Sequence, residues 1–127
     1  MSKIVESLRY SKDHEWVRIE GDRAFVGISD HAQSELGEIV YVELPPTGER
    51  YEQGEEISTV ESVKAASPII NPIAGVVVEA NEELDGSPEL INEDCYKNHL
   101  YVLSPFDQEQ YDGLLDADQY KEFLATL

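Results

Sequence analysis

The chain has 127 residues, with 27 acidic and 9 basic side chains, a formal net charge of −18 and an apolar fraction of 41%. That length supports a core without disulfide or metal staples and points to one domain spanning residues 1–127. The charge excludes nucleic acid and anionic membrane surfaces as partners, since both are bound through Lys and Arg.

No apolar run approaches the roughly 18–20 residues that span a bilayer. The opening residues, Ser2-Lys3-Ile4-Val5-Glu6, lack the apolar stretch of a secretory signal. A lone cysteine, Cys95, excludes an intramolecular disulfide and fits a reducing, cytoplasmic setting.

The predicted elements are mostly strands. Glu15–Glu20 alternates polar and apolar, Gly21-Asp22 turns the chain, and Arg23–Ile28 returns as the second arm of a hairpin. Ser29 or Asp30 caps a short helix near 29–36, which Gly37 closes. Glu38–Leu44 alternates as a strand and stops at Pro45-Pro46-Thr47-Gly48. Glu55–Val60 is a strand leading into a chain reversal. Pro68 and Pro72 place the following segment at a sheet edge or in irregular structure, because proline cannot donate to a central ladder. Gly75–Ala80 is the next strand, Asn81–Pro88 an acidic loop, and Leu100–Leu103 a last strand ending before Ser104-Pro105. Leu114, Leu115, Tyr120, Phe123, Leu124 and Leu127 recur at helical spacing, and Asp116 with Gln119 has the form of a capping box. The expected architecture is a mostly β sandwich or flattened barrel with a C-terminal helix packed on it.

Lys64 stands out among the polar residues. It lies in the reversal Glu61-Ser62-Val63-Lys64-Ala65-Ala66-Ser67, flanked by small side chains that leave a modifying enzyme room to approach. A Schiff-base lysine needs burial or a cationic neighbour, whereas here Glu61 is close in sequence, so a modification target fits better than a nucleophile. His14, His31 and His99 match no metal-ligand spacing, and no metal is expected. His14 and Glu15, beside Trp16, are candidates to line one wall of a cleft. Cys95, next to Asp94, reads as buried or inert. With 27 carboxylates, adjacent acidic pairs are expected without function, and no Ser-His-Asp set or phosphate loop occurs, so no catalytic residue is assigned.

Several blocks together resemble the H protein of the glycine cleavage system. They are Tyr10–Val17, Val26–Pro45, Val60–Ser67 around Lys64, Asn81-Glu82, Pro88–Asp94 and the leucine-rich tail, spanning about Leu8 to Leu124 in the family's order. The resemblance implies a lipoyl-domain-like fold (a barrel-sandwich hybrid) with lipoate amide-linked to Lys64 in the attachment turn formed by Glu61, Ser62, Val63, Ala65 and Ser67. It implies a shuttle rather than an enzyme, serving the pyridoxal-phosphate glycine decarboxylase, the tetrahydrofolate-dependent aminomethyltransferase and dihydrolipoamide dehydrogenase. Lipoate ligase or a lipoyl/octanoyl transferase would load it. In that family the loaded arm rests in a surface cleft, for which Glu15 and His14 are the candidates here. A monomer suits such a shuttle.

Two segments depart from the family pattern. Cys95-Tyr96-Lys97-Asn98-His99-Leu100 lacks the usual Gly-Trp pair, and Pro68 stands where an acidic residue is usual. Both leave the lysine motif intact but bear on the cleft and the partner surface. They keep two other readings open: a relay that donates lipoate to other lipoyl domains, and an interaction module that is never lipoylated. A biotin carrier is disfavoured because Val63 and Ala65, not methionines, flank Lys64.

Overall fold

The computed structural model describes residues 2–127. Strand β1 (Arg9–Tyr10) pairs with β2 (Glu15–Glu20), and β2 pairs with β3 (Arg23–Ile28) in the expected hairpin register, Glu20 opposite Arg23. Gly21 supplies the positive φ, 62°, that this two-residue turn needs. Helix α1 (Asp30–Leu36) starts where Ser29 Oγ accepts from the Ala32 amide and stops at Gly37, whose φ is 79°.

Next come β4 (Ile39–Glu43), β5 (Arg50–Tyr51), β6 (Glu56–Ser62), β7 (Ala66–Ile70) and β8 (Gly75–Ala80). Short helices α2 (Glu83–Gly86) and α3 (Leu90–Glu93) precede β9 (Tyr101–Phe106), and α4 (Gln108–Asp112) and α5 (Ala117–Ala125) close the chain.

The strands form a six-stranded sheet, β1-β2-β3-β9-β8-β5, and a three-stranded sheet, β4-β6-β7. Val17, Val26, Val77 and Leu103 of the first meet Val42, Val60 and Ile69 of the second in one buried cluster. Among the described residues no strand is shared between the sheets, so the flattened-barrel alternative gives way to a sandwich. The outer face of the large sheet carries a second cluster, in which Trp16 and Tyr10 are covered by Ala117 and Tyr120 of α5. The Tyr10 and Tyr120 rings stack at 4.4 Å. Gly27 gives the Trp16 indole its room, since a Cβ there would stand 2.5 Å from the ring.

Several expectations change. The acidic loop contains α2 and α3, whose Leu84 and Ile91 are wholly buried. Burying each contributes about 1.5–3 kcal/mol, which holds helical turns that local sequence does not favour. Leu114 and Leu115 precede the C-terminal helix, which begins after the Asp116–Gln119 capping box, and Leu115 instead bridges to Tyr10. The last strand continues through Pro105 to Phe106. Pro68 does lie in an edge strand, β7. Among the described residues, no helix is long and apolar enough to cross a membrane.

Candidate functional site

Lys64 occupies the tip of the β6–β7 hairpin. The Ser62 amide donates to the Ala65 carbonyl at 2.7 Å, leaving Val63 and Lys64 as a two-residue loop. Ser62 Oγ accepts from the amides of Lys64 and Ala65 at 3.3 and 3.2 Å, so the serine side chain replaces backbone partners that the reversal removes. Neither loop residue adopts a positive φ. The expected attachment turn is therefore shorter than the motif. Glu61 and Ser62 belong to β6, and Ser67 lies within β7, paired with Val60.

The loop is braced from one side. The Val63 amide donates to the Glu38 carbonyl at 3.0 Å. The Asn92 side chain on α3 accepts from the Ile39 amide and donates to the Gly37 carbonyl and to Gln33 Oε1. A Cβ on Gly37 would stand 3.3 Å from Lys64 Cε, so the lysine stem lies along the end of α1. Lys64 is exposed and makes no salt bridge among the described residues, with Glu61 or any other carboxylate. A free amine on a stiff, uncrowded tip suits amide linkage to a carboxylic acid cofactor.

His14 and Glu15 do not share a wall. Strand alternation sends Glu15 to the same side as Val17, towards the core between the sheets, where it is 1% exposed. Its carboxylate accepts a 2.6 Å bond from Ser11 Oγ, and burial pushes its pKa up to about 8. The Ser11 bond opposes that rise, and the charge of Asp13 adds to it. His14, held at a φ of 71°, turns instead towards α5, with Nδ1 2.8 Å from the Tyr120 hydroxyl and its ring 4.6 Å from that of His31. Burial, and then the neighbouring His31, lower its pKa. The Tyr120 hydroxyl also meets Ser29 Oγ at 2.8 Å, tying the cap of α1 to α5.

A cleft of about 300 Å³ is lined by Ser11, Lys12 and Asp13, by Ile70, Asn71 and Pro72, and by Gly113, Leu114 and Leu115. Ile70 ends β7, four residue steps beyond Ala66, about 13 Å at the usual strand rise. Glu15 is not part of the cleft's lining, but Ser11, which is, donates to its carboxylate. Sequence reasoning passed over Ser11, because a serine four residues before a glutamate carries no periodic signal. A larger cavity, about 500 Å³, lies between Ile4, Ala117 and Leu124 and includes no residue of the lysine loop.

The remaining polar candidates are structural. Cys95 is buried, with its thiol pushed up to about 12 by burial and then by Asp30 and Asp94, and its carbonyl accepts from the Trp16 indole at 3.0 Å. His99 packs edge-on against Phe25 at 5.0 Å in the segment that lacks the Gly-Trp pair. No cluster of three or more metal-ligating side chains occurs among the described residues.

Comparison with known proteins matches residues 8–127 to the family described as glycine cleavage H-protein. A glycine cleavage system H protein of Alkaliphilus oremlandii is 51% identical over 121 residues, covering 95% of each chain. That of Halalkalibacterium halodurans is 49% identical over 126 residues, covering 98% of each. The crystal structure of a glycine cleavage system H protein from Mycobacterium marinum superposes with a TM-score of 0.86 at 34% identity, covering 96% of this chain and 99% of that one.

Proposed function

Because this chain belongs to the glycine cleavage H-protein family, we propose that it is the lipoylated shuttle of glycine cleavage, with lipoate amide-linked to Lys64. It carries cargo between the pyridoxal-phosphate decarboxylase and the tetrahydrofolate-dependent transferase, and dihydrolipoamide dehydrogenase resets it. A lipoate ligase or a lipoyl/octanoyl transferase loads it. The observation that carries this reading is the placement of the family's Glu61-Ser62-Val63-Lys64-Ala65 motif. It sets an unpaired, exposed amine on a two-residue loop braced through Glu38 and Asn92.

When bound, lipoate supplies a redox-active disulfide at the end of a flexible tether, which takes up and gives up a one-carbon amine unit. The chain's own residues do the rest. Ser62 and Glu38 fix the base of the tether. The cleft between Ser11–Asp13 and Ile70–Pro72 offers the tether's end a lined resting place on the lysine hairpin's own strand, β7. Linked to this cleft through Ser11, the Glu15 carboxyl is protonated while alone, since its pKa is raised to about 8. A cation brought near favours its ionised form, so the pair holds a charged end more firmly than a neutral one.

The test is the intact mass and peptide map of protein made in lipoate-supplied cells, followed by glycine–bicarbonate exchange with the decarboxylase. One lipoyl increment on Lys64 together with exchange activity is the expected result. The Lys64→Arg variant should carry no increment and should match the stability of the parent within about 0.5 kcal/mol, because the site is exposed. A lipoylated Lys64→Arg protein would overturn the site. A loaded parent without exchange activity would overturn the shuttle role.

A further inference from the structure

The outer face of the three-stranded sheet is apolar beside the lysine. Val40 is 49% exposed, Tyr41 50% and Val63 65%. Simple alternation would bury one of Val40 and Tyr41. The pairing of β4 with β6 shifts register between Ile39 and Tyr41, so two successive side chains face outward while Ile39 and Val42 on either side are buried. Bulges of this kind re-aim side chains. Here the bulge brings Tyr41 directly opposite Glu61, and Glu61 opposite Ala66, a row across the sheet one step from the lysine loop.

This apolar spot is ringed by carboxylates. Glu43 and Glu61 lie on the same sheet, and Glu38, Glu89 and Glu93 line an adjacent shallow cleft with Asn92. The three strands contain no Lys or Arg, which leaves Lys64 as the cation among them. An apolar centre with a charged rim is the anatomy of a recognition surface, and aromatic side chains at its centre carry disproportionate energy.

Resting on the carrier role assigned above, we propose that Val40, Tyr41 and Val63 with their acidic rim form the docking face for the enzyme that acylates Lys64. That partner presents an apolar depression bordered by Lys and Arg. The enzymes that exchange cargo can grip the tether itself. The acylating enzyme meets a bare amine, so recognition rests on the protein surface next to it, and this is the exposed apolar patch beside the lysine. In the step it catalyses, Lys64 Nζ attacks the carbonyl of an activated acid, an acyl adenylate or an acyl thioester. The C–N bond forms as the activating group leaves, and the amine loses a proton.

The experiment compares initial rates of acylation for the parent, the Tyr41→Ser/Val63→Thr variant and the Val78→Ser variant, with melting temperatures of all three. Val78 is also exposed, at 39%, but lies in β8 of the other sheet. The expected kcat/KM falls at least tenfold for Tyr41→Ser/Val63→Thr and stays within twofold for Val78→Ser, at matched melting temperatures. The parent rate falls as salt is raised, because the rim acts through screened charge. Equal acylation of parent and Tyr41→Ser/Val63→Thr overturns the proposal, as does an equal loss in Val78→Ser. So does a defect seen only in cargo exchange by fully loaded protein. A parent that is never acylated by an enzyme active on a control lipoyl domain refutes the carrier reading instead.

Discussion

The Glu15→Gln variant removes the ionisation of a buried carboxyl while keeping its shape and its bond from Ser11. The folded pKa is raised from the ordinary 4.5 to about 8, so the unfolded chain loses this proton first. The stability tied to the neutral carboxyl is therefore complete below pH 4.5 and is lost as pH climbs to about 8. At about 1.36 kcal/mol per pH unit, that interval caps the loss near 5 kcal/mol. Local rearrangement and water entry around the charged form bring the expected value to roughly 2–5 kcal/mol. The quantity to measure is the difference in unfolding free energy between variant and parent, from urea denaturation followed by Trp16 fluorescence, at intervals from pH 5 to 9. All other titrating groups are common to both proteins and largely cancel. The difference should rise in favour of glutamine across this range and level off above pH 8. A difference that stays flat would mean that the carboxyl titrates like an exposed one, and the placement of Glu15 in the core would be wrong.

Two further substitutions probe the packing around the same hairpin. Gly27→Ala drives a methyl against the Trp16 indole, and overpacking there should cost about 1–3 kcal/mol in denaturant unfolding. Tyr120→Phe strips the hydroxyl shared by His14 and Ser29, which should cost about 1–3 kcal/mol and be read as a lower melting temperature. If Tyr120→Phe leaves the melting temperature unchanged, the His14–Tyr120–Ser29 bonds do not bind α5 to the sheet.

What the sequence made legible was local chemistry. Gly21-Asp22 set the β2–β3 register, Ser29 the start of α1, Asp116 with Gln119 the start of α5, and Pro68 the edge character of β7. The small residues around Lys64 also marked the reversal, which the structure forms as a hairpin tip with the lysine exposed. The hidden parts depend on distant partners. α2 and α3 lie in sequence rich in Asn, Ser, Gly and Pro, and hold only because Leu84 and Ile91 find the core. Glu15, Trp16 and Val17 are all buried, against the alternation of an amphipathic strand, since α5 covers the face that would otherwise meet solvent. That cover, set by residues about 100 positions away, also separates His14 from Glu15. No short-range pattern encodes it.

The bracing of the lysine loop has a consequence for timing. A hairpin tip that itself swung would add its own wandering to that of any chain attached to it. Here the main-chain bond from Val63 to Glu38, backed by Asn92, braces the anchor, so an arm attached at Lys64 would itself set the volume its end explores. Short flexible tethers confine a group at concentrations on the order of millimolar. An enzyme docked on such a loaded chain would meet the reactive end many times during one stay, and turnover would then be limited by how long the proteins remain together rather than by the search.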